Sequence, residues 1–182
     1  MRAWMLVIAL SVPSVVHAQS VAEPRSWTAT PFVSVVFGAS GNTTSSLGIG
    51  AAVGYDLTSN LGFEGELARV FDVQGDSENL DWSLTNFHGN VVYHFDVVRF
   101  TPYATAGLGW ERSSLEVEAG EDAAPAESGT EVTVNVGGGI KYKIGENMHA
   151  RADLRRFQSN DSAPDYWRLY GGITFVFRRQ NP

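Results

Sequence analysis

The sequence predicts an all-β chain folded as an eight-stranded antiparallel up-and-down transmembrane β-barrel. Three observations carry that reading. Eight segments alternate residue types with the period-two repeat of a strand. The connections between them are short and long by turns, as an up-and-down barrel requires. One face of most segments is almost free of charge, while the other is crowded with it.

The chain has 182 residues and no cysteine, so neither a disulfide framework nor a cysteine-based metal site is available. Residues 1–18 have the plan of a secretory signal peptide. Arg2 is the positive region, Trp4 to Val16 the apolar run, and Val16-His17-Ala18 a cleavage site before Gln19. The apolar run is broken by Pro13 and is too short to anchor a helix in a membrane. Removing the first 18 of 182 residues leaves 164, enough for one domain. It also removes Arg2, taking the formal net charge from −7 to −8. An acidic balance without basic clusters argues against nucleic acid as a partner. No later apolar run nears the ~20 residues of a spanning helix, so a membrane chain of this composition has to cross with strands. The predicted organisation is a signal peptide at 1–18, a short periplasmic segment at 19–26, the barrel at 27–178 and a tail at 179–182.

The first strand candidate is Trp27–Gly38. The second, Leu47–Leu57, sets Leu47, Ile49, Ala51 and Val53 on one face. The third, Leu61–Phe71, carries Glu64 and Glu66 on its polar face and is interrupted by Arg69 near its outer end. The fourth, Trp82–Phe95, carries His88, Asn90 and His94, and its pattern changes phase between Leu84 and Phe87, as at a bulge. The fifth, Phe100–Glu111, turns Leu108 and Trp110 outward. In the sixth, Glu131–Ile144, Val132, Val134 and Val136 alternate with Asn135, and Lys141 and Lys143 follow. The seventh, Met148–Phe157, opposes Met148, Ala150, Ala152 and Leu154 to His149, Arg151, Asp153 and Arg155. The eighth, Tyr166–Phe177, opposes Trp167, Leu169, Gly171, Ile173, Phe175 and Phe177 to Tyr166, Arg168, Tyr170, Gly172, Thr174 and Val176. A charge facing lipid near the midplane costs a few kcal/mol, so the charged face is the lumen. A soluble lipocalin-like barrel would reverse the two faces.

Thr58-Ser59-Asn60, Asp96 to Arg99 and Gly145-Glu146-Asn147 are the tight connections, and the other four are longer and rich in Gly, Ser, Asp and Asn. Short turns belong in the periplasm and long loops outside, which leaves both termini periplasmic. On that topology Trp82, Trp110, Trp167, Phe37, Phe71 and Phe157 fall at extracellular strand ends. Trp27, Tyr55, Phe63, Phe95, Phe100, Tyr142 and Phe177 fall at periplasmic ends. Two such belts are the girdles of a membrane barrel. Trp82, Trp110 and Trp167 represent the outer belt, and Tyr55, Phe95 and Tyr142 the inner. Within the lumen, Glu64 and Glu66 lie at heights similar to Lys141, His149 and Arg151. Cross-lumen pairing is predicted, in a network that also takes in Asp153 and Arg155 and plugs the barrel.

The glycine runs at 48, 50 and 54, at 107 and 109, and at 137–139 precede no helical pattern, so they do not make a phosphate loop. Inward glycines instead make room for large side chains in a narrow barrel. His88 and His94 share a face but lie about 20 Å apart at strand rise, so they cannot share a metal, although His149 can approach His94. No metal or cofactor is implied. The Arg112 to Thr130 connection holds Glu116, Glu118, Glu121, Asp122 and Glu127 with Pro125. Its spacing matches no EF-hand, and it is predicted to be a solvated surface loop.

Pro102-Tyr103-Ala104-x-Ala106-Gly107-x-Gly109 and the closing Gly172-x-x-Phe175-x-Phe177, with the export signal and eight alternating strands, resemble the OmpA/OmpX-type family of small outer-membrane β-barrel proteins. The resemblance covers essentially the whole mature chain. It implies the bacterial outer membrane as the location and Gly172, Phe175 and Phe177 as the assembly signal. It also implies the barrel-assembly machinery, periplasmic chaperones, outer-membrane lipid and lipopolysaccharide as partners, for a monomer. Arg178 to Pro182 extend past the point where many members stop, and no C-terminal peptidoglycan-binding domain follows, so cell-wall anchoring is not implied. The predicted role is non-enzymatic: envelope integrity or surface interaction through the loops. A lipid-modifying enzyme is one alternative, but the His-x-Ser of lipid A deacylases is missing, because Asn90, Asp96 and Arg151 follow the three histidines. The palmitoyltransferase type would need an N-terminal helix, for which Gln19 to Ser26 is too short. A narrow channel is the other alternative.

Overall fold

The computed structural model describes residues 22–38, 45–71, 80–95, 100–117, 128–159 and 165–178. The predicted signal peptide, the tail at 179–182, the Asp96 to Arg99 turn and most of the four longer connections lie outside them. Eight strands form in order: β1 (Ser26–Phe37), β2 (Ser46–Asp56), β3 (Leu61–Val70), β4 (Leu80–His94), β5 (Thr101–Val117), β6 (Ser128–Gly145), β7 (Met148–Ser159) and β8 (Tyr166–Arg178). Each pairs antiparallel with its sequence neighbour, and β8 returns to β1 to close the barrel. Closure leaves no free strand edge around the ring, the condition for a sheet to exist in lipid.

The register sets the barrel's size. From Ser26, partners run to Asp56, Gly62, Val92, Thr105, Gly137, Arg155 and Arg168, and return to β1 at Val36. That is ten residues above the start. Eight strands with this stagger enclose an interior just wide enough for side chains to fill it.

Burial alternates along most of each strand among the described residues, with polar and charged groups inside and large apolar groups outside. Glu66, His88, Arg155 and Arg168 are fully buried, while Leu47 is 69% and Val33 65% exposed. A surface of exposed Leu, Val, Ile and Phe this continuous belongs in hydrocarbon. Its two ends carry aromatics: Trp27, Phe95, Phe100, Tyr142 and Phe177 with half-buried Tyr55 at one end, and Phe37, Phe71, Trp110 and Trp167 at the other. Trp27 and Tyr55 pack together at 5.1 Å, and Phe87 and Trp110 at 5.2 Å. Trp82 lies in β4 opposite Leu115.

Four expectations are corrected. The central strands are longer than the apolar pattern suggests. β5 continues to Val117 and β6 begins at Ser128, so both ends of the expected 112–130 loop are paired strand. Backbone ladders continue past the lipid because hydrogen bonding does not need an apolar face. β4 has no bulge, since its ladder to β3 runs unbroken from Leu84 opposite Val70 to Tyr93 opposite Leu61. The apparent phase change is one of residue type alone. Leu84 sits inside, against Val36, Val70, Phe157 and Tyr166, and Thr85 is exposed outside. Phe157, expected in the outer belt, is buried in that same cluster and stacks on Tyr166 at 4.9 Å. Lys143, assigned to the lumen, is exposed where β6 ends, beside the shift of register between Lys143 and Gly145.

Candidate functional site

The lumen is the candidate site, and its chemistry follows from which strands face each other across it. Inward positions on β3 present Glu64 and Glu66; those on β7 present Arg151, Asp153 and Arg155; and β8 adds Arg168. The stagger lifts β7 and β8 so that these six side chains meet at mid-barrel. Arg151 forms a forked pair with Glu64, and its Nη2 reaches Glu64 Oε1 at 3.2 Å. Arg155 lies 3.2 Å from Glu64, 3.1 Å from Glu66 and 2.8 Å from Asp153. Arg168 pairs with Glu66, and Arg151 lies 3.4 Å from Asp153. Three carboxylates thus neutralise three guanidiniums, which is how buried charges escape the cost of desolvation.

Two tyrosines brace the cluster. Arg151 Nε donates to Tyr103 Oη at 2.7 Å, and Tyr103 in turn donates to Asp153. Arg155 Nη2 donates to Tyr170 Oη at 3.1 Å. The same rings take the cations on their faces, Arg151 over Tyr103 at 4.8 Å and Arg155 over Tyr170 at 5.4 Å. Phe32 stacks on Tyr170 at 4.5 Å alongside Ala52 and Ala68. Above the cluster, Val36, Val70, Phe157 and Tyr166 form an apolar layer, with Arg168 4.5 Å over Phe157. Salt bridges and apolar layer together fill the lumen at these heights with buried side chains.

The arc of β4 to β6 that joins β3 to β7 is neutral at mid-barrel, with its buried Glu111 and Lys141 lying toward the two ends. Asn135 Nδ2 donates to Asn90 Oδ1 at 2.9 Å, and His88 Nε2 lies 2.7 Å from Thr133 Oγ1. Inward glycines thin this wall where long side chains cross it. A Cβ at Gly139 would stand 2.5 Å from Tyr103 Oη, and one at Gly107 2.0 Å from Asn90 Oδ1.

Among the residues predicted for the network, Glu64, Glu66, Arg151, Asp153 and Arg155 are brought together. Lys141 is not: its Nζ donates to His94 Nε2 at 2.9 Å, nearer the barrel end that Phe95 and Tyr142 rim. His149 is buried at that same end, outside the cluster. Arg168, Tyr103 and Tyr170 complete the site and were left out of the predicted network. The signal for Arg168 was its parity with Tyr166 and Tyr170, which already placed it inside. No group of three or more His, Asp or Glu side chains among the described residues is arranged to hold a metal.

Gly172, Phe175 and Phe177 sit along the β1–β8 seam. Phe177 pairs in register with Trp27 and is 57% exposed to the lipid side. Gly172 faces inward, and a Cβ there would stand 2.5 Å from Pro31 O and 2.9 Å from Phe32 Cβ.

A closed barrel with an ion-paired interior and an apolar, aromatic-rimmed exterior defines a class: small transmembrane β-barrels of outer membranes. The chain belongs to the outer membrane protein beta-barrel domain family, whose model matches residues 5–176. Its place is the bacterial outer membrane. No curated protein matches it. Among solved structures it is similar to the N-terminal β-barrel domain of Pseudomonas aeruginosa OprF, at 22% identity and a TM-score of 0.64 over 85% of this chain and 98% of that one. It is also similar to Neisserial surface protein A, at 19% identity and 0.66 over 84% and 96%. The third is Ail, the attachment invasion locus protein of Yersinia pestis, at 14% and 0.57 over 84% and 100%. At these identities the likeness is one of fold.

Proposed function

We propose that this chain is a non-enzymatic outer-membrane barrel whose lumen is closed to ions, and which serves envelope integrity or surface interaction through its extracellular loops. The observation that carries the reading is the mid-barrel cluster of Glu64, Glu66, Asp153, Arg151, Arg155 and Arg168, which fills the bore with side chains committed to one another. In planar-bilayer recording the purified protein is expected to show no steady conductance, and large stable currents would make it a channel. A deletion strain should change envelope permeability or adhesion with unaltered lipid A acylation, whereas an acylation change would point to the lipid-modifying alternative.

Biogenesis follows the same reading: export by a cleaved peptide at 1–18, delivery by periplasmic chaperones, insertion by the barrel-assembly machinery and function as a monomer. Phe177 belongs to the signal that the machinery reads, while Gly172 answers to the tight backbone approach at the seam. Phe177→Ala should therefore slow insertion in cells and leave the unfolding midpoint of inserted barrel nearly unchanged. Gly172→Ala should lower that midpoint. Equal insertion of Phe177→Ala and wild type would reduce Phe177 to a girdle aromatic.

A further inference from the structure

Arg69 of β3, Thr85 of β4, Arg112 of β5 and Thr130 of β6 stand in one row of register partners across the outer ends of four strands. All four are exposed on the outside of the barrel. With the long loops extracellular, the row lies on the extracellular side of the Phe87–Trp110 pair, which occupies the next outward-facing register row, two residues below. Phe87 and Trp110 mark the top of the apolar band, so the row stands at headgroup depth. Two strand spacings put the Arg69 and Arg112 backbones about 10 Å apart.

The two arginines differ from the other outward cation at this end. Arg156 is engaged, with Asp165 Oδ2 at 2.9 Å and Trp167 beneath it at 5.5 Å. Arg69 and Arg112 have no carboxylate partner among the described residues. Arg69 turns its guanidinium away from the bilayer. It lies 5.7 Å over the Phe71 ring and donates to Ser83 Oγ at 3.3 Å, both of which are nearer the strand ends. Its donors are thereby lifted to the polar side of the interface. Two guanidiniums without a carboxylate partner among the described residues, with a hydroxyl between them, suit a phosphate group, which a guanidinium fork binds through two parallel hydrogen bonds.

We propose that this row binds the phosphorylated sugar headgroup of an outer-leaflet lipopolysaccharide, with Arg69 and Arg112 taking phosphate oxygens and Thr85 donating between them. The inference rests on the outer-membrane placement and is independent of whether the lumen conducts. Its occupant follows from depth and charge: an anion at this height, facing sideways into the bilayer, is a lipid headgroup of the outer leaflet.

Lipid A titrated against the folded, detergent-solubilised barrel, with bound lipid counted by native mass spectrometry, tests the assignment. Lipid A should bind at least about tenfold more tightly than its dephosphorylated form. R69Q+R112Q should lose that preference, while R156Q and the charge-keeping R69K+R112K should largely retain binding. Folding of each variant is checked by its mobility shift on heating. Equal binding of the dephosphorylated lipid by wild type would overturn the proposal without recourse to any variant. So would undiminished lipid A binding by folded R69Q+R112Q. Displacement by millimolar inorganic phosphate would make this a free-anion site, and displacement by phosphatidylglycerol a general lipid contact. Either outcome would refute the lipopolysaccharide assignment.

Discussion

Across the lumen from β3 to β7 and β8, carboxylates and guanidiniums close on one another at mid-barrel, whereas the arc of β4, β5 and β6 between them presents amides, hydroxyls and bare glycine backbone to the same space. The charged side chains are long and would not fit a bore this narrow if the strands beside them carried their own bulk. Gly137 shows the arrangement: it is the register partner of Arg155, and a Cβ there would stand 2.9 Å from Arg155 Cγ. The neutral arc is therefore the complement of the charged pairs, thin where Arg155 and Tyr103 rise beside it. Charge across the bore and glycine next to it form a single packing solution.

The comparison can be broken from either side. The largest effect is expected from Glu64→Ala with Glu66→Ala, which leaves Asp153 as the cluster's remaining carboxylate. Stripping partners from buried charges should cost about 3–5 kcal/mol, read from urea unfolding of the folded barrel in vesicles. A loss below about 1 kcal/mol would mean that water screens the cluster as it does a surface pair. Next is overfilling the thin wall. Gly139→Val drives its side chain toward Tyr103 and should cost about 1–3 kcal/mol. Wild-type stability in that variant would show that the wall has slack. The smallest effect belongs to the neutral wall's own bond: Asn135→Ala removes one amide contact to Asn90 and should cost about 1 kcal/mol. If Asn135→Ala matched the double glutamate variant, the contrast between the two walls would be wrong.

Much of this fold was legible because a lipid exterior and a polar lumen impose the period of two on both faces at once. The last strand is the clearest case: Phe175 and Phe177 face out, Arg168 and Tyr170 face in, and each side is the one that parity assigns. Residue type misled, although parity held, where the membrane no longer dictates it. Leu84 and Phe157 lie at the end of the lumen beyond the salt bridges, where an apolar layer inside the barrel satisfies packing as well as a polar one would. The same loss of constraint hid the length of β5 and β6, whose added outer residues are mostly polar or small.

The sequence by itself determined, for most positions, which residues line the lumen and which meet lipid, because these depend only on alternation. Only the tertiary structure decided who pairs with whom. Lys141 sits on the predicted face, yet it bonds to His94, while Arg168, from the end of the chain, takes Glu66. That choice depends on the ten-residue stagger around the closed ring, which sets the height of each strand against the strand across the lumen. Stagger is a property of closure, and no single strand's pattern encodes it.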